Sequence, residues 1–269
     1  MRIPVTTLND GYDFPLLGLG TYKLTGDEVE PIVRTAIELG YRHIDTAAFY
    51  GNEVEVGKAI NAAIKAGDVT REELFVTTKL WNDDQERVAD AYQESLERLD
   101  LEFIDLYLVH WPWPQHGTYV KAFEQIAELQ GVGRLQSVGV ANFYPEVLDE
   151  IIEATGIAPV LNQVELHAGF TQPELRAYHD EHDIVTEAWA PLARGSNFDD
   201  PAIQAVADKH GASPAQVSLA YLMQLGCSVV PKTANPKRLE ENLGAVGVTL
   251  DSEDVAALDG VKGERLSGD

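Results

Sequence analysis

The segment His43-Ile44-Asp45-Thr46-Ala47-Ala48-Phe49-Tyr50 runs from an apolar, strand-like stretch into a turn that carries a tyrosine. A free phenol, with a pKa of about 10, is a poor proton donor at neutral pH. To work as an acid it needs a cation beside it and a partner that holds the cation in place. The chain offers both. Lys79, at the end of the run FVTTKL, could set its ammonium against the Tyr50 hydroxyl and lower the tyrosine's pKa, with Asp45 keeping that lysine charged. His110, at the end of FIDLYLVH, could hydrogen-bond a carbonyl oxygen and steer the proton to it. The plainer readings are a buried ion pair for Asp45 with Lys79 and a satisfied core histidine for His110.

Something must bring these residues together. Strand patterns fall at 16–20, 43–46, 74–80, 104–110, 136–140, 160–165, 184–190 and 228–231, with helical patterns between them and two more after the last strand. Asp10-Gly11, between two short apolar stretches, predicts an N-terminal hairpin. Thr25 and Glu28 have capping-box spacing, Pro145, Pro201 and Pro214 mark helix starts, and Gly40, Gly67 and Gly211 mark helix ends. Eight strands alternating with helices, without a break in composition, predict an α/β fold: a (β/α)8 TIM barrel with an N-terminal hairpin and C-terminal helices, as one domain over residues 1–269. A doubly wound sheet is the alternative. In a barrel the strand ends Asp45, Lys79, His110, Asn142, Gln163, Trp189 and Lys232 would face one pocket.

Composition narrows the class. The chain has 20 Lys plus Arg against 44 Asp plus Glu, a formal charge of −24, which would repel nucleic acid. No apolar run approaches membrane-spanning length and no signal-peptide pattern opens the chain, so a cytoplasmic protein is expected. Cys227, the only cysteine, reads as a small core filler. His179 and His182, amid Asp180, Glu181 and Asp183, read as a solvated acidic helix face, and no metal is expected.

The stretches GLGTYKL, HIDTAAFYGNEVEVGKAI, TTKLW, IDLYLVHWP, VGVANF, LNQVELH, AWAPL and VVPKTANPKRLEENL, in this order along nearly the whole chain, resemble the aldo-keto reductases, most closely the short prokaryotic members of the 2,5-diketo-D-gluconate reductase type. The resemblance implies NADPH-dependent reduction of aldehydes, dicarbonyls or keto-sugars, with Tyr50 as general acid, Lys79 and Asp45 tuning it and His110 orienting the carbonyl. It implies NADPH/NADP+ contacts from Gly20, Thr21, Asn142, Gln163, Trp189, Pro191 and Leu192. Lys232, Thr233 and Arg238 would meet the 2′-phosphate, and Glu241 and Asn242 the adenine. Tyr22, Phe49, Trp81 and Trp111 are the expected substrate walls, with core packing as the alternative for one tryptophan of HWPW. The family also implies a monomer.

Two departures stand out. Ala141 replaces the usual serine or threonine before the asparagine, removing a hydrogen bond worth about 1 kcal/mol. The tail after Leu258 is short, which implies an open, permissive pocket. Two rival readings are a Schiff-base lyase that uses Lys79 and a cofactor-binding redox sensor. Neither accounts for the full set: the lyase leaves the 232–242 cluster without a role, and the sensor has no need of an intact Asp45, Tyr50, Lys79 and His110.

The dense carboxylate surface predicts a dependence on salt, because salt screens the repulsion between like charges. The melting temperature should rise from dilute buffer to molar KCl. Equal stability in both would remove the hypothesis of adaptation to high salt.

Overall fold

The computed structural model describes residues 2–267. Asp10-Gly11 turns the hairpin of β1 (Val5–Thr7) and β2 (Asp13–Pro15), paired antiparallel with Thr6 opposite Phe14. Eight parallel strands follow: β3 (Leu19–Gly20), β4 (His43–Asp45), β5 (Phe75–Leu80), β6 (Ile104–Val109), β7 (Leu135–Ala141), β8 (Leu161–Glu165), β9 (Val185–Trp189) and β10 (Ser228–Val229). Each pairs with its neighbour in chain order. Leu17 bridges Val229 and Gly20 bridges Lys232, both parallel, so the first and last strands meet. That closure leaves no open edge and decides for the barrel over the doubly wound sheet.

The helices are α1 (Val29–Leu39), α2 (Glu53–Ala66), α3 (Val88–Leu99), α4 (Tyr119–Gly131), α5 (Pro145–Thr155), α6 (Pro173–Glu181), α7 (Pro201–His210), α8 (Pro214–Gln224), α9 (Pro236–Leu243) and α10 (Ser252–Asp259). The capping box of Thr25 and Glu28 forms, and Pro145, Pro201 and Pro214 occupy first helical turns. The α3 pattern begins three residues later than its apolar periodicity suggests. Gln85 is drawn inward there: its amide donates to the Trp111 carbonyl and accepts from the Thr118 hydroxyl. Among the described residues no helix is long and apolar enough to cross a membrane.

Residues two apart on a strand share a face, and this alternation sorts two apolar regions. Outward-facing side chains such as Ile44, Val76, Tyr107 and Val164 pack with the helices. Leu8, Phe14, Phe75, Leu106, Leu108, Ala141 and Leu161 form a second cluster inside the barrel. The hairpin closes that interior from below: the Phe14 ring lies 4.9 Å from Phe75 and 4.7 Å from His43. Above this apolar floor the inward positions turn polar.

Cys227 is buried and unpaired, and burial pushes its thiol up to about 12, as expected of a core filler. His179 departs from the solvated face expected of it. It lies on the buried side of α6, with one ring nitrogen against the Asn162 amide at 3.0 Å and the other against the Thr186 hydroxyl at 2.8 Å. The acidic residues around it occupy the other side of the same helix, which is why a charge count along the segment misplaces it.

The α2–α3 contact generates a prediction. A Cβ built on Gly57 would lie 2.1 Å from the Leu99 carbonyl oxygen and 2.7 Å from its Cα. At an exposed helical site, alanine in place of glycine stabilises by about 1 kcal/mol. Here the obstacle is backbone, which cannot step aside, so Gly57→Ala should destabilise by about 1–3 kcal/mol. A urea midpoint at or above that of the parent would show that the two helices can separate freely.

Candidate active site

Lys79 projects inward from β5 and is fully buried. Its ammonium donates to Asp45 Oδ1 at 2.8 Å, to the Thr46 carbonyl at 2.9 Å and to the Tyr50 hydroxyl oxygen at 3.2 Å. Tyr50 gets there because residues Ala48–Tyr50 form a single 3-10 turn after β4. The turn is anchored by Asn52, which accepts from the Thr46 hydroxyl and donates to the Thr21 and Leu24 carbonyls. Burial disfavours charge on Lys79, yet Asp45 and the phenol outweigh it and the lysine pKa is raised. The site therefore holds an ammonium at every pH at which the protein is handled.

The expected lowering of the Tyr50 pKa is not what the geometry produces. Burial pushes the phenol up to about 12; Lys79 pulls it down, but Asp45 cancels part of that pull. Tyr50 holds its proton. His110 packs edge-on against Tyr50, with ring centroids 5.8 Å apart, and burial together with Lys79 keeps its pKa well below the usual value, so it is a neutral imidazole. An acid that retains its proton until a strong base forms, next to a neutral hydrogen-bond donor, suits protonation of an alkoxide.

A second cluster lies alongside. Trp189 Nε1 donates to Asn142 Oδ1 at 2.9 Å, and Asn142 Nδ2 donates to the His110 carbonyl at 3.0 Å. Asn142 (φ 61) and, in the loop after β9, Ala190 (φ 51), Ala193 (φ 48) and Arg194 (φ 53) adopt left-handed conformations, which asparagine tolerates but alanine and arginine take rarely. Such strain gathers at functional sites. Gln163 donates both hydrogens of its amide inward, to Asp45 Oδ2 at 2.8 Å and Glu187 Oε1 at 2.6 Å. Its carbonyl oxygen is thereby left to accept. Ala141 is buried in register with Gln163 and offers no hydroxyl.

Other sequence-nominated residues divide. Gly20 is buried beside the Val230 carbonyl, which a Cβ would approach to 2.6 Å. Thr21 is fully buried and its hydroxyl is engaged with the Asp45 carbonyl, so its side chain secures the loop and does not face the mouth. Pro191 is buried and Leu192 half-buried after β9. Lys232 and Arg238 are exposed, and neither side chain has an ion pair among the described residues. Thr233 sits in the turn leading to α9, Glu241 is half-buried and Asn242 is buried. Tyr22 and Phe49 are exposed; Tyr22 lies 5.1 Å from the Tyr50 ring, and Phe49 stacks on Trp81 at 3.9 Å, which in turn meets His110 at 5.2 Å. Trp111 has no ring contact with this group among the described residues, and both Trp111 and Trp113 are half-buried, so neither is the core tryptophan of HWPW.

Three inward residues escaped the sequence reading. His43 and Glu187 share the inward faces of β4 and β9 with Asp45 and Trp189, and Glu165 shares that of β8 with Gln163. The two-residue spacing was the available signal. Glu165, at the mouth, accepts from the Leu266 and Ser267 amides and the Ser267 hydroxyl, fastening the short tail to the strand end. His43, Asp45 and Glu187 lie within 4.8 Å of one another, a spacing that could suit a metal. The Asp45 and Glu187 oxygens are already hydrogen-bonded and Lys79 supplies the cation, so the donor set does not fit one.

Residues 16–262 match the Aldo/keto reductase family. The chain belongs to this family. It is 45% identical over 270 residues to the methylglyoxal reductase DkgA of Salmonella typhimurium, covering 98% of this chain and 96% of the relative. It is 44% identical to an aldo-keto reductase of Mycolicibacterium smegmatis, covering 99% and 96%. Among solved structures, an aspartate-to-alanine variant of Gox0644 in complex with NADPH superposes with a TM-score of 0.94 at 41% identity, covering 100% of this chain and 97% of that one. As an aldo-keto reductase this chain is an oxidoreductase.

The buried histidines of this reductase predict its acid response. Burial holds His43 down at about 3 and His179 at about 4, whereas an unfolded histidine binds a proton below about pH 6.5. Between those values the unfolded state holds more protons, so stability is present above pH 6.5 and is lost as pH falls. His179→Gln should make the loss between pH 6.5 and 4.5 shallower by about 1.4 kcal/mol per pH unit. Parallel urea-midpoint curves for variant and parent would contradict this.

Proposed function

We propose that this aldo-keto reductase reduces aldehydes, dicarbonyls or keto-sugars to alcohols with NADPH, with Tyr50 as the general acid. The observation that carries the reading is the unbroken chain from Tyr50 through Lys79 to Asp45, at 3.2 and 2.8 Å, beside a neutral His110. When bound, NADPH supplies a hydride to the carbonyl carbon. His110 holds the carbonyl oxygen with its one N–H. The Tyr50 hydroxyl gives its proton to that oxygen as negative charge builds there, and the Lys79 ammonium stabilises the phenolate left behind. Asp45 keeps Lys79 in place.

The cofactor end rests on chemistry of the same kind. The Gln163 carbonyl oxygen is free to accept from a carboxamide, Asn142 fixes the Trp189 indole for stacking, and the unpaired Lys232 and Arg238 suit a phosphate monoester. The NADPH complex of Gox0644 and the methylglyoxal reductase relatives support both cofactor and substrate class. Tyr22, Phe49 and Trp81 form the substrate wall. The reading includes a monomer acting in the cytoplasm.

The test is carbonyl-dependent oxidation of NADPH, followed by absorbance over a panel of dicarbonyls, aldehydes and keto-sugars. Tyr50→Phe should lower kcat by about 10²–10⁴-fold while NADPH still binds. Replacing Arg238 with Gln should raise KM for NADPH and leave that for NADH nearly unchanged. Tight NADPH binding without turnover by the parent would favour a redox sensor.

A further inference from the structure

Glu187 has no place in the chemistry described so far, although it is a fully buried carboxyl in the middle of the barrel. It stands on β9 two residues before Trp189 and faces inward. Its Oε1 accepts from one hydrogen of the Gln163 amide at 2.6 Å, while Asp45 Oδ2 accepts from the other at 2.8 Å. A primary amide has two hydrogens, so both donors of Gln163 are engaged. We propose that Glu187 is a positioning residue for the reductase: by taking the second hydrogen of the Gln163 amide it fixes the carbonyl oxygen of Gln163 as an acceptor for a carboxamide at the barrel mouth. The proposal rests on the NADPH reading given above.

Asp45 alone would not suffice. With a single hydrogen bond the amide can rotate or flip, presenting a donor where an acceptor is needed, and a buried site left with a mismatched polar group binds less tightly. Glu187 supplies the second fixed point. It is itself held by Ser228, whose hydroxyl lies 3.0 Å from Oε2 and 3.1 Å from the Pro15 carbonyl. A hydroxyl has one hydrogen and a carbonyl can only accept. If the Ser228 hydrogen goes to Pro15, Glu187 must bring its own proton to Oε2.

Charge balance agrees. The titratable groups around Glu187 are Asp45 and His43 on β4 and Lys79 on β5; Gln163 and Ser228 are neutral. Lys79 balances one carboxylate, Asp45, and His43 is neutral, so an ionised Glu187 would leave a net negative charge in the dry interior. Burial first, and then the nearby Asp45, raise its pKa to about 8. The acid is therefore protonated at pH 7 and ionises as pH rises through about 8. Its ionisation places a second anion beside Asp45, weakens the geometry that fixes the amide and disfavours an anionic cofactor.

The measurement is the NADPH dissociation constant by tryptophan quenching between pH 6.5 and 9.5, together with steady-state kinetics. It compares the parent with Glu187→Gln, which reproduces the protonated acid at every pH, and Glu187→Leu, which removes the hydrogen bond. The parent should lose about tenfold in affinity over that range. Glu187→Gln should bind within threefold of the parent at pH 7 and stay flat to pH 9.5. Glu187→Leu should bind at least tenfold more weakly at pH 7, with kcat at saturating NADPH within threefold of the parent. A purely structural role would lower the melting temperature without flattening the pH profile.

The proposal is overturned if Glu187→Gln titrates like the parent, if it binds as poorly as Glu187→Leu, or if the parent itself is flat. Should Glu187→Leu fail to fold, the pH profiles of the parent and Glu187→Gln decide alone. A parent that binds no NADPH at any pH would sink the functional reading along with this one. A parent that binds and turns over while its profile matches that of Glu187→Gln would sink this one only.

Discussion

The buried ion pair of Asp45 and Lys79 is the constraint around which the upper half of the barrel is arranged. An ammonium with no solvent exposure is tolerated only when it is paired and hydrogen-bonded, and Lys79 makes all three of the bonds it can donate. Removing one member of such a pair typically costs about 3–5 kcal/mol, because the other is left uncompensated. The pair also dictates its surroundings. Asp45 has a second oxygen to satisfy and recruits Gln163; Gln163 has a second hydrogen and recruits Glu187; Thr46 offers its carbonyl and is held in turn by Asn52. Tyr50, which accepts the third bond of Lys79, is the last link.

That network needs room, and the strands provide it by alternating large with absent side chains. A Cβ on Gly18 would lie 2.4 Å from His43 Nδ1, and one on Gly139 would lie 2.6 Å from Leu108 Cδ2. The missing atoms let His43 and Leu108 fill the barrel to native density. Below them Phe14 and Phe75 seal the floor, so the polar layer is shut off from water on one side and opens only towards the mouth. Around His110 the rings of Phe49, Tyr50 and Trp81 exclude water, and burial keeps the imidazole neutral and Tyr50 protonated.

Much of this could be read in the chain. The alternation of strands and helices, Asp10-Gly11 and the prolines at helix starts gave a barrel, and the strand ends Asp45, Lys79, His110, Asn142 and Gln163 were visible as chemistry-bearing positions. What stayed hidden has physical causes. The fate of the Tyr50 pKa depends on how far burial outweighs one cation, which sequence cannot weigh. Thr21 was nominated by the family resemblance alone, and the direction of its hydroxyl, towards the Asp45 carbonyl, is a fact of the folded chain. His179 took its apparent environment from adjacent letters when its real neighbours, Asn162 and Thr186, are distant along the chain. Glu187 carried a signal in its spacing from Trp189, but one acidic residue among 44 does not stand out.

The net charge of −24 poses a problem for a reductase that uses an anionic cofactor. At low ionic strength the Debye length is about 30 Å, and a net charge of this size would repel NADPH at long range. At 1 M salt that length contracts to about 3 Å, and only contacts at hydrogen-bonding range survive. Two cations without an ion pair among the described residues, an amide with one acceptor fixed in direction and an indole locked by Asn142 all act at that range. A site built from short, rigid contacts loses little when long-range attraction is screened and gains from the screening of long-range repulsion. The fixed polar network and the net charge of −24 are in this sense consistent with each other: the first does not depend on the field that the second would oppose.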